Sequence, residues 1–92
     1  MMRDLGDRIE VTGAMTLAVA SGLLAEGAAI LARADATFDL AAVTDVDSSG
    51  LAVVFGWQRA AKRLGKTIRI ANPPQNLRSL AAVYGVGELL PI

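Results

Sequence analysis

Residues 44–53 read TDVDSSGLAV, and the way this stretch is parsed decides the fold. Upstream, TFDLAAV at 37–43 sets Phe38 and Leu40 on one face and Asp39 on the other, the period-two alternation of a strand. Downstream, Val54, Trp57, Ala61 and Leu64 recur at steps of three or four, the apolar stripe of a helix over 50–64. Arg59, Lys62 and Arg63 fall on the wet side of that helix, and Gly65 stands where a left-handed residue would close it. The two serines therefore sit where a strand hands over to a helix, at the carboxyl end of the strand. In open α/β sheets that is where ligands and partners meet the loops.

Working outward, RIEVTG at 8–13 alternates Ile9 and Val11 inward with Arg8, Glu10 and Thr12 outward, and Gly13 ends this strand. An earlier strand paired with it spans a few residues at most, with Gly6 and Asp7 as the turn. Thr16 caps a helix running to about Ala32, with Leu17, Ala20, Leu24, Gly27 and Leu31 on its inner face. Gly22 and Gly27 each cost about 1 kcal/mol relative to Ala inside a helix, which implies close packing of that helix on a sheet. KTIRIAN at 66–72 is a third strand with Ile68 and Ile70 inward, broken by Asn72, Pro73 and Pro74. QNLRSLAAVY at 75–84 is a third helix with the stripe Leu77, Leu80, Ala81 and Tyr84, closed by Gly85 and Gly87; the tail ELLPI tucks Leu89 and Leu90 against the core. Strand and helix alternate throughout, which predicts an α/β fold: a mixed, partly parallel sheet packed with helices, one domain over residues 1–92.

The bulk numbers restrict function. Of 92 residues, 53% are hydrophobic and 20% charged, the balance of a chain that folds rather than one that stays disordered. Nine basic and nine acidic side chains cancel, so no net field draws in nucleic acid or an anionic membrane. The cluster Arg59, Lys62, Arg63, Lys66 and Arg69 reads as a solvated helix face and its neighbouring strand, since no aromatic residues interleave with it. With no cysteine there is no disulfide, thiolate nucleophile or sulfur-ligated metal, and with no histidine a Ser-His-Asp triad is excluded. No catalytic residue, cofactor or metal site is expected. The uncharged run at 11–25 is shorter than the roughly 18 residues of a membrane span. Before it, Arg3 and Arg8 are offset by Asp4, Asp7 and Glu10, unlike a signal-peptide leader, so the expected location is cytoplasmic.

The loop itself admits two readings with one geometry. Asp47 or Ser48 can cap the helix by accepting a backbone N–H bond, a contribution of about 1 kcal/mol. A helix start also offers free N–H groups and partial positive charge, so a phosphate on Ser48 or Ser49 would be stabilised there. DSSG lacks the glycine-rich run and lysine of a P-loop, and the Gly-x-Ser-x-Gly pattern of a nucleophile elbow is absent.

FDLAAVTDVDSSGLAVV resembles the signature of STAS domains, and the likeness extends in order over RIEVTG, AAKRLGK, IRIANPP and LAAVYGVGELLPI. The resemblance implies the STAS (SpoIIAA-like) fold and a non-catalytic binding module, with two branches open. In the small STAS subunits of Mla-type phospholipid ABC transporters, this loop and helix dock on the ATPase subunit, which sits with a membrane permease, and the hydroxyl residue matching Ser48 lies at the contact. In anti-sigma factor antagonists, an anti-sigma factor kinase phosphorylates the serine matching Ser49. A short N-terminus, the ending VYGVGELLPI and GAMT in place of the antagonists' GELD favour the transporter branch; the intact DSSG is typical of antagonists. The transporter branch implies an interface centred on Asp47, Ser48, Ser49, Leu51 and Phe55, with Arg59 and Lys62 at its rim. It also implies a cytoplasmic subunit held at the inner membrane by its partner, and a role in outer-membrane lipid asymmetry. Phe55 lies one step off the core stripe, so exposed contact and peripheral core residue stand as equal readings; Trp57 reads as core.

Overall fold

The computed structural model describes residues 1–92. Four strands form a single mixed sheet in the order β1-β2-β3-β4: β1 (Met2–Asp4), β2 (Ile9–Met15), β3 (Ala36–Val46) and β4 (Ile68–Ala71). The first pair is antiparallel, and β2–β3 and β3–β4 are parallel. The expected short hairpin is present, with the Leu5 N–H bonded to the Arg8 carbonyl and Gly6 at φ 94°. Crossover helices α1 (Ala20–Leu31) and α2 (Ser48–Leu64) link the parallel strands, and α3 (Gln75–Val83) follows β4. Pairing of the Ile70 N–H with the Pro91 carbonyl lays the tail along the outer edge of β4 and covers it.

Two strands run longer than their sequence periods indicate. Gly13 does not end β2; it lies inside the strand at φ 83°, next to one of two register shifts against β3. Opposite the span Ile9–Met15, β3 uses the longer span Phe38–Val46. These bulges re-aim β3, so that Phe38, Leu40, Val43 and Val46 all contribute to one core. β3 therefore ends at Val46 rather than Val43.

α2 is as expected in its stripe: Val54, Trp57 and Ala61 are buried, and Gly65 closes the helix at φ 69°. Leu64 is exposed. The phase of α1 differs from the reading. Leu23, Gly27 and Leu31 face inward, whereas Leu17 and Leu24 are exposed. Thr16 makes no side-chain cap bond, and residues 17–19 form a separate 3-10 turn. Gly27 packs against the indole of Trp57 on α2, not against the sheet, and Gly22 has open space around it. The Trp57 Nε1–H donates to the Leu23 carbonyl at 2.9 Å, and its ring stacks on Phe38 with centroids 4.3 Å apart. Of the α3 stripe only Leu77 and Ala81 are buried; Tyr84 is exposed, and in the tail Leu90 is buried while Leu89 is not.

Candidate functional site

The start of α2 is fixed by two close approaches. A Cβ on Gly50 would overlap the Met15 carbonyl, so only glycine lets the helix begin this near the end of β2. Asp47 then takes the cap position, in extended conformation at φ −119°. Its Oδ1 accepts from the N–H groups of Ser49 at 2.8 Å and Gly50 at 3.3 Å, while Oδ2 accepts from the Leu17 N–H at 3.1 Å. One carboxylate thus caps α2 and ties it to the turn that precedes α1. The Leu17 N–H first, with Ser49 and Gly50 adding to it, holds the Asp47 carboxyl below its ordinary range, so the cap is an anion.

This arrangement decides which residue is the cap. Asp47, not Ser48, is the cap, and it occupies the N–H groups that a phosphate would otherwise use. Ser48 is the first helical residue and is exposed; Ser49 is half-buried with its N–H engaged by Asp47. Leu51, expected at the interface, is only 5% exposed and belongs to the core, out of reach of a partner. Phe55 combines its two readings, being half-buried and packed against the core while lining a surface hollow with Gln58, Arg59 and Lys62.

From Ser48 the outward side of α2 carries Ala52, Phe55, Arg59 and Lys62 at steps of three or four, a single ridge on the helix. Neither Arg59 nor Lys62 meets a carboxylate; the ion pairs are Arg3–Glu10, Arg8–Asp7 and Arg8–Asp39. The opposite side of Ser48 opens into a groove of about 420 Å³ whose far wall is α3, with Ser79, Leu80, Val83 and Tyr84. The sequence reading missed this wall because Tyr84 was assigned to the core stripe. Its signal was Val83, an apolar residue outside that stripe.

A second polar cluster braces the sheet away from the loop. Asp39 is 8% exposed; its Oδ1 accepts from the Ala41 N–H and the Asn72 Nδ2–H and its Oδ2 from the Arg8 Nε–H, each at 3.0 Å. No group of three or more metal-ligating side chains comes together anywhere, and no helix is long and apolar enough to cross a membrane.

A family model described as "Mlab, STAS domain" matches residues 2–91. Over 51 residues the chain is 31% identical to the intermembrane phospholipid transport system binding protein MlaB of Haemophilus influenzae (strain ATCC 51907 / DSM 11121 / KW20 / Rd), a match over 55% of this chain and 49% of that protein. It thus spans about half the length of that relative. The anti-sigma factor antagonist SpoIIAA in its unphosphorylated form superposes with a TM-score of 0.72 over 96% of this chain and 82% of that one. At 16% identity the likeness shows a shared fold alone.

Proposed function

We propose, from the premise that the chain belongs to the MlaB-type STAS-domain family, that it is a non-catalytic subunit which binds and supports the ATPase of a phospholipid ABC transporter. The observation that carries this reading is the ridge that leaves the loop: an exposed serine, a small residue, a half-buried aromatic ring and two unpaired cations in line on α2. Nothing on that ridge is arranged for chemistry. Its pattern of apolar centre and polar rim is that of a protein contact. Asp47 orders the start of the ridge through its cap bonds, Ser48 and Phe55 form the contact centre with Ser49 at its edge, and Arg59 and Lys62 meet acidic groups of the ATPase. A subunit that binds only the folded ATPase stabilises it by mass action and biases its conformational equilibrium without touching ATP or lipid. On this reading the protein is cytoplasmic, lies at the inner membrane through its partner and serves outer-membrane lipid asymmetry.

The test is to express the tagged chain in its native cell and identify what co-purifies. An ABC ATPase with a membrane permease is the expected result, and Ser48→Arg is expected to remove it while leaving the melting curve unchanged. Recovery of a kinase-type anti-sigma factor and a sigma factor would overturn the reading.

That second outcome belongs to the alternative, an anti-sigma factor antagonist switched by phosphate on Ser49 or Ser48. The feature in its favour is the intact DSSG at the start of α2. A phosphate on Ser49 would carry nearly two negative charges into a place where Asp47 already holds the helix N–H groups, so it would disturb the cap as well as the surface. Intact mass of the native protein with and without phosphatase decides it, together with partner binding by Ser49→Ala.

A further inference from the structure

We propose that the groove between the start of α2 and α3 receives an apolar anchor side chain of the ATPase, carried on a segment whose carboxylates face Arg59 and Lys62. The inference rests on the reading that an ATPase is the partner, and it adds α3 to the contact. α3 buries only Leu77 and Ala81 against the molecule, and its last turn leaves Val83 80% and Tyr84 59% exposed beside the groove. Large apolar side chains gathered at the lip of a hollow are surface that association covers.

The chemistry of the occupant follows from the walls. The groove has one charged lining side chain, Asp47, and three N–H bonds already engage its two oxygens. With no free charge to satisfy, and with Val46, Leu80, Val83 and Tyr84 as its apolar wall, the slot favours an apolar group over a charged one, which would lose water without gaining an opposite charge. The ridge has the opposite character at its far end. Arg59 and Lys62 form no ion pair within the molecule, and the chain has no Asp or Glu between Ser48 and Gly87, so a carboxylate-bearing surface is the complement. Ser48 borders both features, so one continuous partner segment covers groove and ridge, roughly 21 Å along α2 at 1.5 Å per residue.

The experiment uses the ATPase that co-purifies with the tagged chain, purified and titrated onto the immobilised full-length chain from low to high NaCl. Val83→Ser/Tyr84→Ser removes the apolar lip from exposed positions; a melting curve like that of the wild type confirms that its fold is kept. It is expected to weaken binding at least tenfold with an unchanged dependence on salt. Arg59→Glu/Lys62→Glu is expected to weaken binding at low salt and to flatten the salt dependence. If Val83→Ser/Tyr84→Ser binds as well as the wild type while Ser48→Arg does not bind, the groove assignment is wrong and the ATPase reading stands. If the wild-type chain binds no ATPase, that reading fails and the groove assignment falls with it. If the wild-type chain is a dimer by sedimentation velocity and Val83→Ser/Tyr84→Ser is a monomer, the groove belongs to a second copy and the proposal is overturned.

Discussion

Among single residues, Asp39 and Asp47 bear most on stability because each is a carboxylate that joins separate elements. Asp39 links Arg8 before β2, its own strand and Asn72 after β4, where Asn72 is held in the left-handed region at φ 51°. The Asn72 amide first, then the Ala41 N–H and the Arg8 guanidinium, hold its carboxyl below its ordinary range despite its burial. Asp47 is shifted the same way by its backbone donors. A carboxyl whose folded pKa is depressed favours the folded state when ionised. Its contribution is full above the unfolded value near 3.8 and is lost as pH falls through the folded value. Urea midpoints are therefore expected to stay level from about pH 8 to 5, with no histidine to titrate between, and to drop below about pH 4. Asp39→Ala should lower stability at pH 7 by about 1–2 kcal/mol, since the Ala41 N–H and the Asn72 amide lose their acceptor while Arg8 keeps Asp7, and should reduce the acid-side drop. A midpoint that rises on acidification would contradict this account.

Among elements, α2 was legible and α1 was not, for a reason that lies in their compositions. α2 sets Arg59, Lys62 and Arg63 against Val54, Trp57 and Ala61, so its hydropathy fixes its phase. α1 reads ASGLLAEGAAIL, apolar or small nearly all round, so the choice of Leu23 over Leu24 is made by packing. That packing is the approach of Gly27 to the Trp57 indole. β3 was under-read for a related reason: bulges place Val43 and Val46 in the core at a spacing that follows neither period. The packing account of α1 yields opposite outcomes for two similar substitutions. Gly22→Ala, with open space around the new Cβ, should stabilise by about 0.5–1 kcal/mol through helix propensity. Gly27→Ala gains the same propensity but drives a methyl into the indole, an overpacking cost of about 1–3 kcal/mol. It should be the less stable of the two and should shift the emission of the one tryptophan, whereas Gly22→Ala should not. Equal stabilisation by both would mean that α1 does not pack on Trp57 in this phase.

For the whole molecule, zero net charge conceals a strong separation of charge. Residues 1–47 carry eight acidic and three basic side chains, and residues 48–87 carry six basic and none acidic. The acid-rich half supplies β1, β2, α1 and β3 and the base-rich half supplies α2, β4 and α3, with α2 packed on α1 and across β2, β3 and β4 alike. The site was only partly legible because Ser48, Arg59 and Lys62 stand out in a local motif, whereas the α3 wall depends on which elements the fold makes neighbours. The separation also governs how the free protein behaves. At about 10 mM salt the screening length is roughly 30 Å, comparable to the 32 Å long axis, so acidic groups of one molecule attract basic groups of the next. At about 150 mM it shrinks to roughly 8 Å and that attraction is confined to direct contacts. Solubility of the isolated chain is therefore expected to rise as NaCl goes from about 10 to 150 mM, and light scattering should show attraction giving way to weak interaction over the same range. Apolar association through Leu17, Val83 and Tyr84 has the opposite trend, because salts that are excluded from the surface strengthen burial. A solubility that falls steadily with salt would assign self-association to those side chains, and Val83→Ser/Tyr84→Ser would then raise it.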